Sequence, residues 1–231
     1  MSDPTGEQSR PERGTSEELA RMRVDYDRGG FDEADLAPTW WEQFDGWLHD
    51  AIDADVTEPN AIVLGTASRG GDVATRNVLA KGVDSRGLVF YTNYASDKSA
   101  HLLENPRASA TFSWLPVYRQ VHLRGPVEQV DPETTLAYWR QRPRGSQLGA
   151  WASTERPQSS LLSSRAELSE VLASLEQRFE GMDEVPLPPQ WGGWLLRPET
   201  VEFWQGQRSR VHDRLRFRSI GDAWVVERLA P

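Results

Sequence analysis

An α+β domain built around a closed or barrel-like antiparallel sheet is what this sequence predicts. Three observations carry it. Roughly five to seven short runs rich in apolar and β-branched residues follow one another, too short for helices. Turn-forming clusters such as RGGD and DSRG separate the first of them. Segments with helical spacing are inserted between strands, mostly late in the chain.

Each element has its own reason. Residues 1–18 are mostly Ser, Glu, Arg, Pro and Gly with almost nothing apolar to bury, which predicts a disordered N-terminal tail. Residues 19–231 then read as a single domain, since no repeat and no long linker divides them. Trp40, Trp41, Phe44, Trp47, Leu48, Ala51 and Ile52 recur at helical spacing and predict an amphipathic helix. AIVLGTA, the RGGD turn and VATRNVLAK predict a hairpin, and LVFYTN a buried strand after the DSRG turn. DKSAHLLEN reads as a short helix stopped by Pro106, followed by the strands ASATFSW and RQVHLRGPVEQV. Asp131 is a good N-cap with Pro132 at the first helical position, so a helix should run to about Arg142, before Pro143. Ser164 and Glu167 have capping-box spacing for a helix to about Phe179. VPLPPQWGG is a connection, and WLLRP, VEFWQG, RVHDRLRFRS and AWVVERL close the chain as strands.

Composition and missing motifs narrow the chemistry. The 231 residues carry 26 Lys and Arg against 35 Asp and Glu, a formal charge of −9, which opposes a general nucleic-acid binder. The absence of cysteine removes disulfides, thiolate metal sites and cysteine nucleophiles, and fits a reducing, cytoplasmic setting. No apolar run reaches the length of a membrane span, and the start has no apolar signal-peptide core. There is no GxGxxG or P-loop, the four histidines lack ligand spacing, and no metal is expected. GSQLG does not match a nucleophile elbow. Ten tryptophans exceed what packing alone usually requires, and fit burial at an interface.

Three groups of cations stand out. On a strand over 210–218, Arg210, His212, Arg214, Arg216 and Arg218 share one face, which is either a solvated face or an anion site. Tyr138 and Arg142 share a helix face, with Ser146 on a loop just beyond; this is either an exposed helix end with an ordinary arginine, the simpler reading of the motif alone, or a phenol, a guanidinium and a hydroxyl that suit one phosphate monoester. In TRNVLAK, Arg76 and Lys81 have opposite strand parity: either this is a hairpin strand with solvated ends, the simpler reading of the motif alone, or the strand bends, or the two cations serve two anions.

Taken in order, MRVDY, EPNAIVLGT, TRNVLAK, LVFYTN, RQVHLRGPVE, YWRQRPRGSQLGAWAS, VPLPPQWGGW, VEFWQG, RVHDR and ERLAP make the chain resemble the pyridoxine/pyridoxamine 5′-phosphate oxidases from about Arg23 to Pro231. The resemblance implies an antiparallel split β-barrel with peripheral helices, in a homodimer with FMN at the subunit interface. It implies oxidation of pyridoxine or pyridoxamine 5′-phosphate to pyridoxal 5′-phosphate in vitamin B6 metabolism, with O2 reduced to hydrogen peroxide. FMN contacts carry over to Arg76, Asn77, Val78, Leu79, Lys81, Tyr91, Thr92, Lys98, Gln120, Gln158, Ser159, Trp204 and Arg214. Substrate contacts carry over to Lys81, Tyr138, Arg142 and Ser146 for the phosphate, to Arg210 and His212 beside the ring, and to Arg23 and Tyr26 on a closing segment. Arg210 and His212 are the residues expected to act in catalysis. Asp97 stands where the family often carries an arginine. The competing readings are another oxidase of this fold, of the phenazine-biosynthesis type, and a non-catalytic FMN- or pyridoxal-phosphate-binding protein.

Overall fold

The computed structural model of the chain describes residues 15–22, 25, 26 and 29–231. Most of the expected tail, residues 1–14, lies outside that set. Its last residues do not continue as tail, because Thr15–Arg21 forms a short helix, α1.

Nine strands are present among the described residues, one for each of the nine segments named above and more than the five to seven on which the fold class was argued. In chain order they are β1 Ala61–Ala67, β2 Val73–Asp84, β3 Gly87–Asn93, β4 Arg107–Trp114, β5 Arg119–Gln129, β6 Trp191–Leu196, β7 Thr200–Gln205, β8 Asp213–Ile220 and β9 Ala223–Arg228. They pair in the order β4-β1-β2-β3-β6-β5-β7-β8-β9, and a further β4–β5 pairing closes the first six into a barrel. The strand that splits the barrel is β5: its first half, Arg119–Arg124, pairs with β7, and Val127–Gln129 pairs with β6. Strands β7 to β9 therefore extend off the barrel as a flap.

The inner face of this sheet is a continuous apolar core containing Leu64, Phe90, Phe112, Leu123, Trp194, Phe203 and Phe217. Helix α2, Trp40–Asp53, lays Trp40, Phe44, Trp47 and Ala51 against it. Ring centroids of Phe44 and Phe112 are 4.8 Å apart, and those of Trp47 and Phe203 5.2 Å. Helix α3, Asp97–Glu104, follows β3. Helices α4 Pro132–Gln141, α5 Arg144–Glu155 and α6 Arg165–Arg178 interrupt the sheet between β5 and β6. They build a second core around Trp139, Leu148, Leu175, Phe179 and Trp191. Six of the tryptophans, at positions 40, 47, 114, 139, 191 and 194, are buried within these two cores. The tryptophan excess is thus mainly internal packing rather than interface.

Three boundaries depart from the sequence reading in ways that matter for the site. Ser146 is not on a loop: it sits in the first turn of α5, because Pro143 permits a new helix to start directly after α4. The last basic strand starts at Asp213, and Arg208–Arg210 is a 3-10 turn, so Arg210 and His212 do not share the face of Arg214. The WGG of the presumed connection belongs to β6.

Candidate active site

One cavity of about 560 Å³ gathers twelve of the residues singled out above. It is lined by Arg76, Asn77, Val78, Leu79 and Lys81 of β2, Tyr91 and Thr92 of β3, Lys98 of α3, Tyr138 and Arg142 at the end of α4, Ser146 of α5, and Gln158. The parity conflict between Arg76 and Lys81 is resolved by a bulge: the β2–β3 register shifts between Ala80 and Gly82. The strand bends, and both cations line the same cavity.

The first cation group is built for an anion. Lys98 is buried, with its Nζ donating to Thr92 Oγ1 at 3.2 Å and Gln158 Oε1 at 3.1 Å. Burial first, then the nearby Arg76 charge, push its ammonium down to about 8, against the pull of Asp97. Arg76 is held by one terminal nitrogen, which donates to the Leu64 carbonyl at 3.2 Å, Thr66 Oγ1 at 2.8 Å and the Ala74 carbonyl at 3.0 Å. Two cations placed together at partial burial repel each other, an arrangement that a bound dianion relieves.

The second group surrounds a stack of rings. Tyr91 lies 4.1 Å from Tyr138 and 5.2 Å from Trp191, nearly parallel to both. Gly193 makes room for it, since a Cβ there would meet Tyr91 Cε1 at 2.8 Å. The Arg142 guanidinium sits 4.8 Å from the Trp191 ring centre and donates to the Ser146 carbonyl at 2.9 Å. Its Nε is buried without a hydrogen-bond partner. A buried, unpaired charged donor is costly unless a ligand meets it.

The remaining expected residues lie elsewhere on the chain. Gln120, Trp204 and Arg214 line a separate cavity of about 270 Å³ with His122, Glu202 and Pro231. Arg210 and His212 flank it through an aromatic cluster: His212 is 4.7 Å from Trp204 and 5.7 Å from Tyr26, and the Arg210 guanidinium is 5.7 Å from the Tyr26 ring. Ser209 and Arg210 both have positive φ, 56° and 63°. Such strain in non-glycine residues is typically kept at functional turns. The Gln207 backbone N–H donates to His212 Nδ1 at 3.1 Å, which leaves the proton of the neutral ring on Nε2. Burial and Arg210 lower the His212 pKa, with Asp213 opposing, so the neutral ring is favoured.

Other expectations are corrected. The basic face of β8 is not a row of bare cations: Arg216 and Arg218 both pair with Glu227, and Arg214 pairs with Glu202 through its Nε. Carboxylates on the neighbouring strands, invisible to a one-strand pattern, neutralise it. Ser159 does not line the main cavity, although Gln158 beside it does. Arg23 lies outside the described residues. Sequence reading also missed Asn93, Ser153 and Trp191 in the main cavity, and His122 and Glu202 in the smaller one. Asn93 had a signal, a polar residue ending an apolar strand; its amide donates to the Ser153 carbonyl at 2.7 Å and ties β3 to α5.

Comparison with known proteins places the chain in a family and a fold. Residues 48–205 match the sequence family described as pyridoxamine 5′-phosphate oxidase, and residues 191–231 match the pyridoxine 5′-phosphate oxidase C-terminal dimerisation region. A pyridoxine/pyridoxamine 5′-phosphate oxidase of Saccharopolyspora erythraea is 54% identical over 214 residues, covering 92% of this chain and 95% of its own. One from Nocardia farcinica is 51% identical over 227 residues, covering 93% and 99%. Among solved structures, PhzG from Burkholderia lata, in complex with tetrahydrophenazine-1-carboxylic acid, superposes with a TM-score of 0.82 at 28% identity, over 90% of this chain and 100% of that one. A pyridoxamine 5′-phosphate oxidase-related, FMN-binding protein of Nostoc punctiforme shares the fold at a TM-score of 0.66 and 18% identity, over 85% and 98%.

Proposed function

From the premise that this chain belongs to the pyridoxamine 5′-phosphate oxidase family, we infer that it is an FMN-dependent oxidase of pyridoxine and pyridoxamine 5′-phosphates, forming pyridoxal 5′-phosphate. O2 is the proposed electron acceptor and hydrogen peroxide its product. The observation that carries the substrate reading is the second cation group, with the buried, unpaired Arg142 Nε beside Tyr138 and Ser146. It supplies a phosphate grip separate from the one formed by Lys98 and Arg76.

The residues present fit FMN. Lys98, Arg76, Thr92 and Gln158 would hold its phosphate, since they place two cations and two polar side chains around one partly buried space. When bound, FMN supplies the acceptor for the hydride leaving the substrate C4′ carbon. The chain's own task is alignment. Lys81, Tyr138, Arg142 and Ser146 would fix the substrate phosphate, and Arg210 would cover the ring. With its Nε2 protonated, His212 is a donor that orients the substrate rather than a base. In this reading it holds the proton at Nε2 while Gln207 occupies Nδ1.

The match to the dimerisation region supports a homodimer. That assembly would bring the Gln120–Trp204–Arg214 surface of one copy to the main cavity of the other and complete each site. Residues 19–231 would act as one functional unit, working in the cytoplasm; among the described residues no helix is long and apolar enough to cross a membrane. The test is a peroxide assay on FMN-loaded protein with pyridoxine 5′-phosphate and with unphosphorylated pyridoxine. Peroxide with the phosphate ester and far less with the free alcohol is expected. Equal turnover of both would overturn the phosphate-pocket assignment, and turnover of neither would overturn the oxidase reading.

A further inference from the structure

We propose that Glu202 is a positioning residue of the flavin site, which holds the Arg214 guanidinium in place and sets how much positive charge it presents to bound FMN. The inference rests on the reading above that Arg214 faces FMN. It begins from the smaller cavity, where Glu202 and Arg214 are wall residues together with Gln120 and Trp204.

Glu202 lies on β7 between two potential cations. Across one register it opposes His122 of β5, and across the other Arg216 of β8. Neither claims it. Arg216 donates to Glu227 Oε2 at 3.0 and 2.6 Å. His122 is pushed below the ordinary imidazole value by burial and by Arg124, against the pull of Glu202, so it is uncharged at neutral pH. Glu202 is thereby left to Arg214, whose Nε donates to Glu202 Oε1 at 2.7 Å. The Nη1 of Arg214 donates to the Ala230 carbonyl at 2.8 Å, a second anchor. Anchored twice, the planar guanidinium has a fixed orientation and keeps further N–H groups for a ligand.

The charge consequence follows from the same contact. A guanidinium beside a flavin favours the more negative reduced form, and a carboxylate 2.7 Å behind it cancels part of that field. The pair is partly shielded from water, with side-chain exposures of 31% and 22%, so salt does not erase the effect.

Two substitutions separate charge from position. Glu202→Gln keeps an oxygen that accepts from Nε and removes the charge; Glu202→Asp keeps the charge and withdraws it by one methylene. The FMN-loaded protein is reduced stepwise against a reference dye for its midpoint potential, and apoprotein is titrated with FMN for affinity by flavin fluorescence. Glu202→Gln is expected to raise the preference for reduced over oxidised FMN about tenfold, a positive shift of about 30 mV for a two-electron couple. Glu202→Asp is expected to weaken FMN binding without that shift. A Glu202→Gln potential equal to that of the unmutated protein overturns the inference and leaves the oxidase reading intact. Unmutated protein that binds no FMN overturns both. Should Glu202→Gln fail to fold, Glu202→Asp decides alone, and an unchanged FMN affinity overturns the positioning role.

Discussion

Lys98 and Arg76 face the same problem at the residue scale: each carries a charge that burial disfavours, and the Arg76 charge adds to the cost at Lys98. Arg76 remains charged because a guanidinium cannot be deprotonated at ordinary pH, so the adjustment falls on Lys98. Its ammonium, ordinarily at 10.5, is lowered to about 8. A phosphate is gripped only by the protonated form, so affinity should be full below that value and fall as pH rises through it. Bound phosphate itself favours the ammonium and moves the midpoint upward. FMN titrations followed by fluorescence between roughly pH 6.5 and 10 should show this loss. Lys98→Met should bind more weakly throughout and lack the inflection.

At the scale of elements, the site depends on how strands and helices end or bend. The bulge in β2 carries Lys81 into the cavity that Arg76 already lines, and the direct passage from α4 to α5 through Pro143 brings Arg142 and Ser146 into contact. Helix α2 has a different job. Thr39 caps it by accepting from the Glu42 N–H at 3.3 Å, and Phe44, 4% exposed, wedges against Phe112 and Trp114. Phe44→Ala should cost about 3–5 kcal/mol, the usual penalty for an emptied aromatic core position. Urea unfolding of the apoprotein would measure it as a lower midpoint with an unchanged slope. The ladder of Arg216, Arg218 and Glu227 ties β9 to β8 and accounts for cations that a single strand seemed to offer to a ligand.

The whole molecule poses the question of where the second half of the site comes from. Arg142 lines one cavity, while Arg210 and His212 cluster beside another, with Tyr26 and Trp204. If a two-fold dimer joins them, each active site draws one group from each copy. Arg142→Ala and Arg210→Met chains should then be nearly inactive alone. When mixed and reassembled, they should recover about a quarter of normal turnover, since half of the dimers are mixed and each of those holds one intact site. A peroxide assay on the reassembled mixture checks this; no recovery would place both groups in one chain's site.

Local signals made much of this legible before any coordinates. Strand alternation, the RGGD and DSRG turns and the Asp131–Pro132 start are short-range patterns, and the elements they mark formed where expected. The ordered motifs from TRNVLAK to RVHDR carried the family. What stayed hidden depends on partners distant in sequence. Glu202 and Glu227 neutralise the arginines of β8 only because strand pairing sets them alongside. Lys81 joins Arg76 only because one residue bulges from the ladder. The orphaned Nε of Arg142 exists only because two helices and a tryptophan close around it. A sequence states which charges and rings a chain owns; which of them are cancelled, and which are left waiting for a ligand, is set by neighbours that only folding brings within a few ångströms.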